Sequence, residues 1–172
     1  MRPLLMPIRS RRALQIDDLR LLADALRAAN PAHSIHSALE SVSQQVIGHR
    51  LFTIMRFDVT RSEVERVHSS LPSVYPVGGR KKKADTKWAN HVLREMKVFR
   101  CTTPEEIRSA FDDHQTILGL ELGSIINVPI VFEDRCLGTM NLTHEAGWYL
   151  PEDERTGILL GAFLIPVLIG AK

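Results

Sequence analysis

Two runs of the chain, Ser124 to Phe132 and Cys136 to Thr143, are apolar at nearly every position and are separated by Glu133, Asp134 and Arg135. Apolar residues at both parities of the strand period mean strands covered on both faces, and the short polar joint makes the pair a hairpin. The chain must therefore build a sheet with material packed on each side of it.

The remaining patterns supply that material. Leu14, Leu19, Leu22, Ala23 and Leu26 recur at helical spacing with charged residues between them, which predicts an amphipathic helix over 12–29 after a disordered start at 1–11. Asn30 and Pro31 stop it, and Ser34 or Ser37 caps a second helix whose apolar face is Ile35, Leu39, Val42 and Val46. Leu51 to Val59 and Glu63 to Ser70 read as a first hairpin about Arg61 and Ser62. A loop punctuated by Pro72, Pro76, Gly78 and Gly79 ends in the cations Arg80 to Lys83, and Asp85 or Thr86 then caps a helix carrying Trp88, Val92, Leu93 and Met96. A short strand at Val98 to Cys101 precedes Thr103-Pro104-Glu105-Glu106, a helix start with a capping hydroxyl, a first-turn proline and acids against the dipole. Pro151, Glu152 and Asp153 open a closing apolar helix. Hairpins separated by helices give an α+β fold with an antiparallel sheet.

Composition excludes several partners. The chain has 172 residues, 44% of them hydrophobic, enough for one core, and its 22 Lys and Arg against 20 Asp and Glu leave a net charge of +2, too small to argue for nucleic acid or an anionic membrane. Gly157 to Ala171 carries no charge, but fifteen residues broken by Pro166 fall short of the roughly 20 that span a bilayer. Cys101 and Cys136 are too few for a disulfide framework and lack zinc spacing, so the expected setting is the cytoplasm. Thr143-His144-Glu145 offers too few ligands for a metal.

The segments Ser124-Ile-Ile-Asn-Val-Pro-Ile130 and Leu137-Gly-Thr-Met-Asn-Leu142, with the element order around them, resemble the closing hairpin of the GAF domain family over about 35–171. Pro129 marks a strand irregularity or an edge-facing position, and Gly138 permits a close approach to the sheet. The resemblance implies a central sheet of five or six antiparallel strands, the first and last helices on one face, and middle loops and short helices enclosing a ligand pocket on the other. The cyclic-nucleotide signature Asn-Lys-x-x-x-Phe-x-x-x-Asp-Glu is absent, as are the cysteine contexts of bilin-binding members. The surroundings of Cys101 and Cys136 do not match the free methionine-R-sulfoxide reductase members.

Under the GAF arrangement Tyr75, Trp88, Phe111, His114 and Ile117 would face the sheet from the middle segments, an apolar wall with polar tips. Trp88 and Phe111 could equally be simple core, and His114, in an expected loop after Asp112 and Asp113, could cap a helix or lie on the surface. Asn127 and Asn141 are strongly polar side chains inside apolar strands and need partners, either a ligand or a neighbouring loop. With a two-residue turn at Glu133-Asp134 they fall on opposite faces; a three-residue turn puts them together. The run Arg80 to Lys83 either steers an anionic ligand or is a solvated loop.

The expectation is a small-molecule-binding sensory or regulatory domain without catalytic residues or a cofactor. It would act as a homodimer through Leu19, Leu22, Leu26 and the helix containing Ile158, Phe163 and Ile165, and signal to a partner protein. The alternatives are a redox enzyme using Cys101 or Cys136 as nucleophile, and a ligand-free dimerisation domain.

Overall fold

The computed structural model describes residues 11–83 and 85–170. Its strands are β1 (Leu51–Asp58), β2 (Glu63–Ser69), β3 (Arg80–Lys82), β4 (Phe99–Cys101), β5 (Ser124–Phe132) and β6 (Arg135–His144). They form one six-stranded sheet in the order β3-β2-β1-β6-β5-β4, and every neighbouring pair is antiparallel. The helices are α1 (Ile16–Leu26), α2 (Pro31–Val46), α3 (Lys87–Ala89), α4 (Pro104–Ala110), α5 (His114–Gly119), α6 (Pro151–Gly161) and α7 (Ile165–Ile169). A π-helical turn, Asn90–Arg94, extends α3, and a 3-10 turn, Ala162–Leu164, joins α6 to α7.

The two faces of the sheet have different jobs. Phe52 and Ile54 of β1, Ile126, Val128 and Ile130 of β5, and Met140 and Leu142 of β6 pack against Leu22, Ile35, Leu39, Leu160 and Leu164 of the first and last helices. Gly157 and Gly161 let α6 lie directly on β5, since a Cβ at either would come within 2.8 Å of Val128 or Ile130. The opposite face is covered by the segments between β2 and β5, which bury Trp88, Val92, Ile107 and Ile117. This is the α+β arrangement that the hairpin and the element order imply.

Several details differ from the sequence expectations for local reasons. The helix expected over 12–29 runs from Ile16 to Leu26, and Asp18 receives the Gln15 N–H at 2.8 Å and a two-pronged bond from Arg12 at 2.6 Å. Residues 1–10 of the expected disordered start lie outside the described residues; Arg11, its last member, pairs with Asp153 and donates to the Trp148 carbonyl at 2.7 Å. Asn30-Pro31, expected to stop one helix, also starts the next: Asn30 caps α2 by accepting from the His33 N–H, and Pro31 takes the first helical position. Ser34 and Ser37 therefore lie inside α2. Arg80 to Lys82, expected as loop, pair with Glu63 to Glu65 as the edge strand β3. Three residues of cations are an edge strand blunted against further pairing, and so short and charged a strand has no apolar alternation to betray it.

Candidate functional site

Three strands align polar side chains in register on the middle-segment face. Thr53 of β1 pairs with Asn141 of β6, which pairs with Asn127 of β5. The joint is the two-residue turn Glu133-Asp134, both at positive φ (49° and 54°), yet Asn127 and Asn141 share a face. A β-bulge reconciles the two facts: Val131 pairs with Cys136 but Ile130 pairs with Gly138, so Leu137 is an extra residue and the parity of β6 shifts by one. The expected link between a tight turn and opposed amides is thus corrected. Gly138 is required at the bulge because a Cβ there would sit 2.0 Å from the Met55 carbonyl oxygen.

Trp88 donates from Nε1 to Asn127 Oδ1 at 2.9 Å, Asn127 Nδ2 donates to Asn141 Oδ1 at 2.8 Å, and Asn141 Nδ2 donates to Thr53 Oγ1 at 3.2 Å. The chain of bonds satisfies amides that are 4% and 8% exposed and positions the indole over the sheet. Thr86 fixes the start of that segment by accepting from the Ala89 N–H at 3.1 Å, so of the two candidate caps Thr86 is the one used.

Above this floor is a cavity of about 300 Å³. Tyr75, Trp88, Phe111, Ile117, Asn127 and Asn141 line it together, with Leu51, Thr53 and Ile125 completing the sheet side. Tyr75 donates its hydroxyl to Asp113 at 3.2 Å; burial, with the Asp113 charge, pushes the phenol well above its ordinary range. Arg66 packs its guanidinium over the Tyr75 ring at 5.0 Å, and the Lys83 ammonium stands 4.2 Å over the Trp88 ring. Burial lowers the Lys83 ammonium to about 8.

His114 departs from the expected group. It is the first residue of α5, not a loop residue, and its Nδ1 lies 2.9 Å from the Phe111 carbonyl. It faces a second cavity of about 740 Å³, behind the Trp88 and Phe111 wall, with His91, Arg100 and Glu154. Sequence reading missed Arg66 and Asp113 as lining residues, while the run Arg80 to Lys83, weighed between anion steering and a solvated loop, brings Arg80, Lys81 and Lys83 to the lining. Arg66 was accessible to it: Val64 and Arg66 share a parity in β2, so a buried Val64 carries Arg66 to the same face.

Comparison with solved structures now bears on the geometry. The GAF domain of an Acinetobacter phosphoenolpyruvate-protein phosphotransferase superposes with a TM-score of 0.73 at 14% identity, covering 92% of this chain and 94% of that one. The GAF domain of the corresponding protein of Coxiella burnetii gives 0.72 at 16% identity over 87% and 89%. The phycocyanobilin-bound GAF domain of a cyanobacterial phytochrome gives 0.67 at 18% identity over 92% and 96%. The chain has the GAF fold. No protein-family model and no curated protein matches it.

Within that GAF fold the thiols are poorly placed for chemistry. Cys101 is 1% exposed and burial pushes it up to about 12; Cys136 is 9% exposed and pushed up to about 11, with its Sγ 3.3 Å from the Gly138 carbonyl. A nucleophilic thiol requires the opposite shift and access. His144 stacks on Trp148 with centroids 3.6 Å apart, and its Nδ1 accepts from the Glu145 N–H at 2.8 Å. Among the described residues no group of three or more His, Cys, Asp and Glu side chains is disposed to hold a metal ion, and no helix is long and apolar enough to cross a membrane.

The expected dimer residues divide. Leu22 is fully buried in its own chain's core, and Leu26, Phe163 and Ile165 pack against that core, because α1 and the turn after α6 close over the same sheet face. Ile158 is 56% exposed, with Leu159 beside it at 47%.

Proposed function

We propose that this chain is a sensory or regulatory GAF domain that binds a small molecule in the 300 Å³ cavity and does no covalent chemistry. The observation that carries it is the Trp88-Asn127-Asn141-Thr53 chain of hydrogen bonds. It seats the Trp88 indole at one edge of a polar sheet floor, where Trp88 walls the cavity with Tyr75, Phe111 and Ile117. The solved neighbours include GAF domains of two phosphotransferases and one of a phytochrome with phycocyanobilin bound, which supports the same class. The raised thiols argue against the redox-enzyme alternative.

The domain would work in the cytoplasm and pass its signal to a partner protein through a homodimer. In that dimer Ile158 and Leu159 of α6, with Ile16 and Leu21 of α1, supply exposed apolar surface on the helical layer. Native mass spectrometry of gently purified protein tests ligand binding. Retained mass is expected on the wild type and absent from Ile117→Trp, which fills the cavity. A wild type with no retained mass and no thermal shift across a metabolite panel would leave a ligand-free dimerisation domain as the better account. Light scattering of Ile158→Glu/Leu159→Glu tests the dimer, which should become a monomer.

A further inference from the structure

We infer that the ligand of this cavity is a small organic anion with an apolar or aromatic body, its acidic group held between Lys83 and Arg66. The inference rests on the ligand-binding reading above and adds the chemical class. Among the described residues five charged side chains line the cavity: Arg66, Arg80, Lys81, Lys83 and Asp113. Two of the cations are already spoken for. Arg80 lies 3.6 Å from Glu63 and 3.4 Å from Glu65, and Lys81 lies 3.3 Å from Asp112. Among the described residues Lys83 and Arg66 form no ion pair.

The direct contacts of these two cations are weak and neutral, while the Asp113 carboxylate acts on both, and Asp112 on Lys83, only from beyond ion-pair distance. Lys83 has the face of Trp88 beneath it, and Arg66 has the face of Tyr75 and one bond, Nη1 to the Pro76 carbonyl at 3.1 Å. Arg66 Nε is buried and without a hydrogen-bond partner. A guanidinium desolvated with a donor unused is costly, and the groups that repay that cost are carboxylate and phosphate oxygens, which bridge planar N–H donors at short distance. Among the described residues Asp113 is the one carboxylate in the lining; it keeps its charge while accepting from Tyr75, and against Arg66, Arg80, Lys81 and Lys83 it leaves the lining net positive. The walls of Trp88, Phe111, Tyr75 and Ile117 then suit an apolar body. The volume of about 300 Å³ lies at the small end of ligand sites, which limits the ligand to a small aromatic acid.

Two dyes of nearly equal shape test this: 1-anilinonaphthalene-8-sulfonate, an aromatic anion, and N-phenyl-1-naphthylamine, the same body without the charge. Fluorescence titration should show the sulfonate binding the wild type at least about tenfold more tightly, a preference of the size that charge-assisted bonds supply. Lys83→Met and Arg66→Met should each weaken the sulfonate about fivefold or more and leave the neutral dye within about twofold. Lys83→Arg and Arg66→Lys, which keep the charge, should retain most of the preference even where a methionine variant fails to fold. Phenylacetate and phenyl phosphate should both displace the sulfonate while benzyl alcohol does not, and the better competitor names the acid. Equal affinity for the two dyes, with both lost in Ile117→Trp, overturns the anion proposal and leaves the cavity a ligand site. Failure of the sulfonate to bind the wild type, or sulfonate binding that survives Ile117→Trp, removes the cavity as the anion's site altogether.

Discussion

Replacing Asn127 by Leu tests whether the hydrogen-bonded floor is one connected unit. Leu nearly preserves volume but removes an acceptor and a donor together. Trp88 Nε1–H loses its partner, and so does Asn141 Oδ1, at sites 6% and 8% exposed. Each orphaned polar group costs about 1–3 kcal/mol when buried, and the added apolar surface returns about 1–2 kcal/mol, so the expected loss is about 2–3 kcal/mol. Asn141→Leu alone leaves Asn127 Nδ2 without its acceptor and Thr53 Oγ1 without the donor it accepts from; an unfilled oxygen lone pair is the milder loss, so the cost is about 1–2 kcal/mol. The double variant removes both members of the central bond and leaves Trp88 Nε1 as the main orphan, so its cost should fall short of the sum by about 1 kcal/mol or more. Urea unfolding followed by far-ultraviolet dichroism gives all three values, and an unchanged m-value confirms that stability is being compared. Additivity to within about 0.3 kcal/mol, or an Asn127→Leu cost below about 0.5 kcal/mol, would refute the connected floor and mean that solvent satisfies each amide separately.

Gly138→Ala should lower Tm by about 10 °C in a thermal melt, because a Cβ 2.0 Å from the Met55 carbonyl must push β1 from β6 at a cost of about 3 kcal/mol or more. His36 of α2, buried against β2 with its ring 5.5 Å from that of His68, is lowered to about 4, chiefly by burial. The unfolded chain therefore takes up the proton first. The stability His36 contributes is complete above about pH 6.5 and is lost as pH falls toward 4, up to about 3 kcal/mol, and urea midpoints across that window should flatten in His36→Gln. The thiol reagent DTNB should label Cys101 and Cys136 at pH 8 no faster than the protein opens, since both thiols are buried and raised; rapid labelling of either would reopen the enzyme alternative. Sulfonate binding should weaken as pH rises through and above about 8, the range where Lys83 loses its charge. The charges facing Lys83 are Lys81, Asp112, Asp113 and Arg66, and Lys83→Arg should abolish the dependence.

Much of the fold was legible because its elements are locally specified. The β5 and β6 runs are apolar at both parities, and Thr103-Pro104-Glu105-Glu106 forms the capping box it reads as, with Thr103 accepting from the Glu106 N–H at 3.3 Å. What escaped was set by tertiary contact. The edge strand β3 exists because β2 offers it a partner, and α5 begins at His114 after a chain reversal that carries no proline or glycine signal. The candidate site was half legible for the same reason. Aromatic residues in the middle segments announce a wall, whereas Lys83 looks like one more solvated cation until Trp88 is placed beneath it. The relation of Asn127 to Asn141 could not be read by counting residues across a turn, because pairing counts partners and the bulge at Leu137 adds a residue without adding one.

The division of the sheet into two faces separates stability from recognition. On the helical face the middle of the three central strands is apolar, from Phe52 and Ile54 through Ile126 and Val128 to Met140 and Leu142, and all six are fully buried. Burying such a set is the main favourable term in folding, so truncations there should act on the folding equilibrium. On the cavity face the same strands present Thr53, Asn127, Asn141 and Thr143, whose burial gains little even when every bond is made. A chain selected for stability alone would place valine or isoleucine at those positions and let Trp88 pack on them. Under the proposed ligand reading, polar side chains kept in register on adjacent strands beneath an indole serve the cavity rather than the core. Substitutions at Asn127, Asn141, Arg66 and Lys83 are therefore the ones expected to change which molecule binds, while those at Phe52, Ile126 or Leu142 should change how much folded protein there is to bind it.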